Sequence, residues 1–306
     1  MKIIFFGTDN FALQVLNFLA KHHEIIAVVT APDGKVGRKQ TLQESPVAVL
    51  ARDLSLKILK PDFLKNDLVL EEILRALSAD LFAVVVYGKI IPQNILSIPL
   101  KGVMNVHPSL LPLYRGPSPI RTPLLNGDVK TGVSIMLIDE EVDHGPILAQ
   151  EELPLEPDDN NISVTEKLAQ IAAPLLHRAI DGYEKGTLQA KEQDHARATY
   201  TKIITKADGK IDWNKSAADI YNMFRAFYDW PQIWTEWQGL MLKIIDCVPA
   251  AVSTDTSPGT VLEGGNVACG SGTVLQINQL QLQGKNETDI KSFLNGYRKF
   301  VGSKLG

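Results

Sequence analysis

Three side chains in this sequence have the types and spacing to do acyl chemistry: Asn105, His107 and Asp143. Asn105 and His107 stand two apart at the end of an apolar run, Gly102 to His107, so on a strand both project from one side. A proline-rich turn, Pro108 to Pro112, follows at once and fixes the course of the backbone. A second apolar run, Gly132 to Asp139, leads into a loop that carries Asp143, His144 and Gly145. If the two runs are neighbouring parallel strands, Asp143 comes close to His107 at the carboxyl edge of the sheet. An amide, an imidazole and a carboxylate suit acyl transfer to an amine. The amide and a protonated imidazole can each donate a hydrogen bond to the oxyanion, and one such donor is worth about 3–4 kcal/mol in the transition state. The carboxylate can orient the ring and favour its charged form. A water held by that carboxylate can take the proton leaving the amine. No Ser-His-Asp elbow or activated cysteine is visible, so no covalent enzyme intermediate is required. On the residues alone other readings stay open: a structural histidine, an asparagine that caps a turn, a plain loop carboxylate. A metal site built from His107, Asp143 and His144 has only generic spacing, and the reading adopted holds no metal.

The elements that must position these groups alternate. Residues 2 to 6 form a strand, and Phe11, Ala12, Val15, Leu16 and Leu19 fall on one helix face. Strands follow at 24 to 30 and 57 to 59, with helices at 47 to 54 and 67 to 77. The unbroken apolar run from Leu81 to Val86 suits a central strand buried on both faces. Ser118 and Pro119 read as N-cap and first residue of a short helix that stops at Asn126 and Gly127. Ser163 to Glu166 reads as a capping box opening a helix to about Tyr183. This grammar predicts an α/β fold with an open, mostly parallel, Rossmann-like sheet over residues 1 to 185. Ligands of such sheets bind beyond the carboxyl ends of strands. Residues 186 to 207 are polar and read as a linker. From 208 to 306, a capped helix at Ser216 precedes short, glycine-separated strands and a last helix near 289 to 300, which predicts a smaller OB-like β-barrel domain.

Composition narrows the classes. The chain of 306 residues has 31 basic and 35 acidic side chains, a net charge of −4. That balance excludes indiscriminate coating of nucleic acid, so any RNA site must be a local patch. Cys247 and Cys269 have neither zinc nor redox spacing and are expected to be buried free thiols. No stretch approaches the roughly 18 apolar residues of a membrane span, and a cytoplasmic monomer that binds no membrane is expected.

The two motifs together narrow it further. Asn105 to Gly116, followed by Thr131 to Gly145, resembles the signature of the folate-dependent formyltransferases. The resemblance implies that Asn105, His107 and Asp143 form the catalytic set. It implies 10-formyl-tetrahydrofolate, a reduced folate, as co-substrate. It also implies that the turn of Ser109, Leu110, Leu111 and Pro112 belongs to the folate site. Tyr87, Gly88, Lys89, Ile90 and Ile91, with the loop from Asp139 to Asp143, are similar to stretches that wall the pterin pocket. Ile90, Ile91 and Leu111 would supply apolar walls.

Three further stretches resemble the branch of that family whose acceptor is the initiator methionyl-tRNA. Gly34 to Lys39, ahead of Glu44 to Val47, is similar to a mobile basic loop; Lys35, Arg38 and Lys39 would contact tRNA. Ala198 to Tyr200 with Lys206 to Trp213 is similar to that branch's linker. Leu282 to Lys285 and Phe293 to Gly296 are similar to its C-terminal domain. One departure stands out: Asp229, Trp230, Pro231, Gln232 and Ile233 occupy the place of the usual P-W-P-G-A turn. The alternatives are a formyltransferase acting on a nucleotide-linked amino sugar, and a catalytically silent RNA-binding protein on this fold.

Overall fold

The computed structural model describes residues 1–36 and 41–306. The chain forms two compact units. One comprises Met1–Pro119, Lys130–Pro154 and Thr165–Thr201; the other comprises Ile120–Val129, Leu155–Val164 and Lys202–Gly306. Thr187 to Thr201, expected as linker, lie along the first unit. There Lys191 pairs with Ile147, and Tyr200 with Arg115.

In the first unit β1 (Lys2–Gly7), β2 (Glu24–Val29), a hairpin of β3 (Gly34–Val36) and β4 (Thr41–Gln43), β5 (Lys57–Leu59), β6 (Leu81–Val85), β7 (Val103–His107), β8 (Lys130–Leu137) and β9 (Ile147–Pro154) follow in chain order. The main sheet runs β5-β2-β1-β6-β7-β8-β9. Its first five strands are parallel. Leu81–Val85 is buried at every position, as the unbroken apolar run requires. Helices α1 (Asn10–Leu19), α2 (Pro46–Asp53), α3 (Leu68–Ala76) and α4 (Gln93–Leu96) connect these strands. Asp9, Ser45 and Asp67 cap the first three, each accepting a backbone N–H three residues on. Strand order reverses between β1 and β6, and there the Thr8 hydroxyl donates to the Tyr87 carbonyl at 3.2 Å.

The structure corrects several expectations. β8 is antiparallel to β7, not parallel, and β9 is antiparallel to β8. Leu137 therefore ends β8 opposite Met104, at the far end of β7 from His107, and the following loop must double back. The short helix α5 is Arg121–Asn126; Ser118 and Pro119 precede it rather than open it, while Gly127 ends it at φ 70°. The long helix α6 (Asn161–Glu184) starts before Ser163. Its cap is Asn160, whose side chain accepts from Ile162 and Ser163 N–H groups at 2.9 and 3.2 Å.

The second unit holds helix α7 (Ala217–Ala226), where Ser216 and Asp219 form the predicted capping box. After it come β10 (Ile233–Trp237), β11 (Leu240–Ser253), β12 (Val267–Ala268), β13 (Thr273–Leu282) and β14 (Thr288–Asp289). They make one antiparallel sheet, ordered β10-β11-β13-β12 with β14 on β13. A last helix, α8 (Ile290–Gly296), is shorter than the predicted 289 to 300. Cys247 and Cys269 are buried free thiols. At the departing turn Gln232 takes φ 66°, the backbone region that glycine adopts most easily. Asp229 there pairs with both terminal nitrogens of Arg121, at 2.9 and 3.0 Å. Among the described residues no helix is long and apolar enough to cross a membrane.

Candidate active site

Asn105 and His107 lie on β7 in one alternation, between β6 and β8. Asp143 reaches them from the loop after β8: its Oδ1 is 3.5 Å from His107 Nδ1. His107 Nε2 is 2.9 Å from the Tyr114 carbonyl. A carbonyl only accepts, so Nε2 carries the proton there, and Nδ1 is left facing the carboxylate. A ring with both protons satisfies both neighbours. Asp143 Oδ2 accepts the Gly116 N–H at 2.8 Å. Asp143 itself sits at φ 52°, an uncommon conformation held by its surroundings. Asn105 is half-buried, and among the described residues nothing hydrogen-bonds its amide. The site therefore offers one uncommitted amide beside a fixed imidazole–carboxylate pair.

The loop owes its course to a network the sequence did not announce. Arg115 is 1% exposed. It donates through Nε and Nη2 to Gln193 Oε1 (3.2 and 2.8 Å), through Nη2 to His195 Nδ1 (2.9 Å), and through Nη1 to the Tyr200 hydroxyl (3.2 Å). Gln193 in turn donates to the carbonyls of Asp143 (2.9 Å) and Gly145 (2.7 Å). His195 stacks on His144, ring centroids 4.0 Å apart and planes 1° from parallel. His144 Nδ1 is 2.7 Å from Asp139 Oδ2, and Asp139 Oδ1 accepts the Glu141 N–H. Gly145 is obligatory in this course, because a Cβ there would meet the Leu137 carbonyl oxygen at 2.0 Å. Gln193, His195 and Tyr200 come from a polar stretch without periodicity. The only signal for them was an arginine, Arg115, in a segment otherwise apolar enough to be buried.

The residues expected around the pterin are distributed unevenly. Ser109, Leu110, Leu111 and Pro112 follow His107 directly, and β8 and β9 fasten them. Ser134 donates to the Ser109 carbonyl (2.6 Å) and accepts from the Leu111 N–H (3.0 Å); Gln150 donates to the Leu111 carbonyl (2.9 Å). The Ser109 hydroxyl, fully buried, donates to the Leu113 carbonyl. Tyr87 and Ile91 belong to the sheet's apolar core. The Tyr87 hydroxyl is buried without a hydrogen-bond partner among the described residues, and burial pushes it up to about 12. Lys89 turns away, donating to the carbonyls of Pro61 and Asp62. Gly88 has φ 78°, and Ile90 stands 88% exposed. Val86, expected from sequence to end the strand, instead follows β6 at φ 42°, a strained setting for a β-branched side chain. Of the basic loop, Arg38 and Lys39 lie outside the described residues, and Lys35 is on β3.

Comparison with known proteins places the chain in a family. Residues 1–180 match the formyl transferase family, and residues 203–298 match the formyl transferase C-terminal domain. A methionyl-tRNA formyltransferase of Roseiflexus sp. is 41% identical over 312 aligned positions, spanning 100% of this chain and 95% of the relative. Another, from Caldicellulosiruptor saccharolyticus, is 39% identical across the full length of both.

The chain belongs to the methionyl-tRNA formyltransferase family.

As in any member of the methionyl-tRNA formyltransferases, the chemistry is formyl transfer by an enzyme with a catalytic and a C-terminal portion. The fold extends to more distant relatives. An N-formyltransferase from Helicobacter canadensis, solved with folinic acid and dTDP-3-aminofucose, matches with a TM-score of 0.70 at 21% identity, covering 90% of this chain and 98% of that one. The sugar 3N-formyltransferase WlaRD matches at 0.68 and 21% identity, covering 94% and 99%. Burial raises both thiols, Cys269 to about 11, and the Ser109 hydroxyl donates to the Leu113 carbonyl.

Proposed function

We propose that the enzyme moves the formyl group of 10-formyl-tetrahydrofolate to the α-amino group of methionyl initiator tRNA, by direct amine attack. The observation that carries the reading is the half-buried amide of Asn105, without a partner among the described residues, beside the His107–Asp143 pair. The co-substrate supplies the formyl group: the amine bonds to its carbon, the bond to the folate nitrogen breaks, and the amine's proton ends on that nitrogen. Asn105 donates its N–H to the oxygen that gains charge. His107, protonated, adds a second donor from Nδ1; the 3.5 Å gap to Asp143 leaves that proton shareable. Asp143 keeps the ring oriented and holds the water that relays the proton.

The folate fits the residues present. Asn105 and His107 would stand at its reacting end, with the turn of Ser109 to Pro112 beside them, and Ile90 has an exposed apolar side chain that would cover it. The full-length relatives at about 40% identity favour methionyl-tRNA over an amino sugar as acceptor. Lys35, Arg38 and Lys39 are read as the tRNA-probing loop. The enzyme is taken to act as a cytoplasmic monomer. Asn105→Ala should cut turnover by about 10²–10³ with tRNA binding nearly unchanged. Incubation with 10-formyl-tetrahydrofolate and charged initiator tRNA should yield formyl-methionine, and an amino-sugar nucleotide should yield nothing. Formylation of the sugar alone would overturn the acceptor.

A further inference from the structure

We propose that His23, His177 and Asp181 form a zinc site on the back of the catalytic unit, outside the formyl-transfer machinery. Three lone-pair atoms converge there. His23 Nε2 is 2.9 Å from His177 Nδ1. Asp181 Oδ1 lies 4.0 Å from the first and 3.9 Å from the second. The nearest point equidistant from all three lies in their plane about 2.1 Å from each, the length of a zinc–nitrogen or zinc–oxygen bond, and a slight parting of the two rings opens the angle toward tetrahedral.

The scaffold is built for it. His177 and Asp181 are one turn apart on α6, so both face one way. His23 lies in the turn after α1, its N–H bonded to the Leu19 carbonyl at 2.8 Å and its side chain 4% exposed. His22 and Phe18 wall the cluster, with the His22 ring 4.8 Å from that of His177. Asp181 Oδ2 also has Lys185 Nζ at 3.8 Å, a cation that zinc would have to tolerate. One imidazole must donate to the other, and the carboxylate is too far from either for a hydrogen bond. Burial, followed by the neighbouring His177, also disfavours a proton on His23. A divalent cation binds such rings neutral and such a carboxylate charged. Two imidazoles and one carboxylate suit zinc, with water filling the open position. Such an ion would tie the start of the sheet, through α1, to α6. From sequence no metal was expected, with only His107, Asp143 and His144 weighed as ligands; His23 lies 154 residues from His177, and no motif joins them.

Untagged, EDTA-treated protein titrated calorimetrically with Zn²⁺ should bind one ion at this cluster and melt at a higher temperature. His177→Asn should weaken binding at least tenfold and abolish the thermal shift; Mg²⁺ should neither bind at the cluster nor raise the melting temperature. Asp181→Asn, on a more exposed side chain, should also weaken binding, and keeps the test decisive if His177→Asn folds poorly. His144→Asn should leave zinc binding unchanged. The proposal fails if Zn²⁺ does not bind one to one. It fails equally if His144→Asn removes the binding while His177→Asn and Asp181→Asn do not.

Discussion

Replacing Gln193 by leucine tests how the catalytic loop is held. Gln193 is 5% exposed and makes four hydrogen bonds: two accepted from Arg115, and two donated to the carbonyls of Asp143 and Gly145. Leucine has similar bulk and can make none of them. The guanidinium would keep only His195 and Tyr200 as side-chain partners, with no carboxylate among them. A bond to a charged group contributes about 1.5–3 kcal/mol, and a stranded buried carbonyl costs about 1–3 kcal/mol. Fully summed these exceed what is expected, since the loop can shift and admit water. A loss of roughly 3–4 kcal/mol is the expectation, comparable to breaking a buried charge from its partner. Urea unfolding reads this as a lower midpoint at unchanged slope. Because the anchored carbonyl belongs to Asp143 itself, kcat should also fall about tenfold, the equivalent of ~1.4 kcal/mol in the barrier. Gln193→Glu keeps the acceptor for Arg115 and loses only the two donors, so it should fall between. A leucine variant within about 1 kcal/mol of wild type and with normal kcat would refute the assigned role of this network.

Three other outcomes are expected. Burial holds the His23 ring below its ordinary 6.5, so in metal-free enzyme the neutral ring is favoured by folding. Its contribution is complete above pH 6.5 and is lost as the pH falls below that value, against the opposing pull of Asp181 and with His22, His177 and the Met1 amino group as like-charged neighbours. His23→Gln should flatten the fall of melting temperature between pH 7.5 and pH 5.5 in EDTA; an equally steep fall would remove His23 from the account. Cys247 and Cys269 should resist Ellman's reagent in the native enzyme and react fully in guanidinium, because burial raises both thiols; fast native labelling would contradict that burial. Arg38→Ala should weaken use of tRNA and flatten its salt dependence, and a variant silent at low and moderate salt would dismiss the basic loop.

Much of the fold was legible because its periodicities are strong. Leu81 to Val85 could only be an inner strand, and the α1 face of Phe11, Val15, Leu16 and Leu19 was unambiguous. The direction of β8 was not legible. An apolar run buried on both faces reads alike whichever way it points, and here Lys130 to Leu137 runs against its neighbour. Helix starts slipped because several side chains can cap: Asn160 preceded Ser163 in α6. In the site, Asn105 and His107 shared a face because period two fixes it. The partners of Arg115 stayed hidden because they are separated from it by about eighty residues of chain and belong to no regular element. The same holds for His23 and His177, whose contact exists only once α1 and α6 are in place.

The piecewise make-up of the second unit constrains how such enzymes can be cut and recombined. Ile120–Val129 and Leu155–Val164 are encoded amid the first unit, yet they fold with the third segment: Arg225 donates to the carbonyls of Glu156 and Asp159, and Arg121 grips Asp229. A fragment stopping at Thr201 would leave those two stretches as orphans, with α5 stripped of α7. Swapping the tail for that of another formyltransferase is thus no cassette exchange. Any chimera has to inherit two short inserts from the tail's own donor, so the tail and those stretches in the middle of the catalytic gene should travel together in evolution.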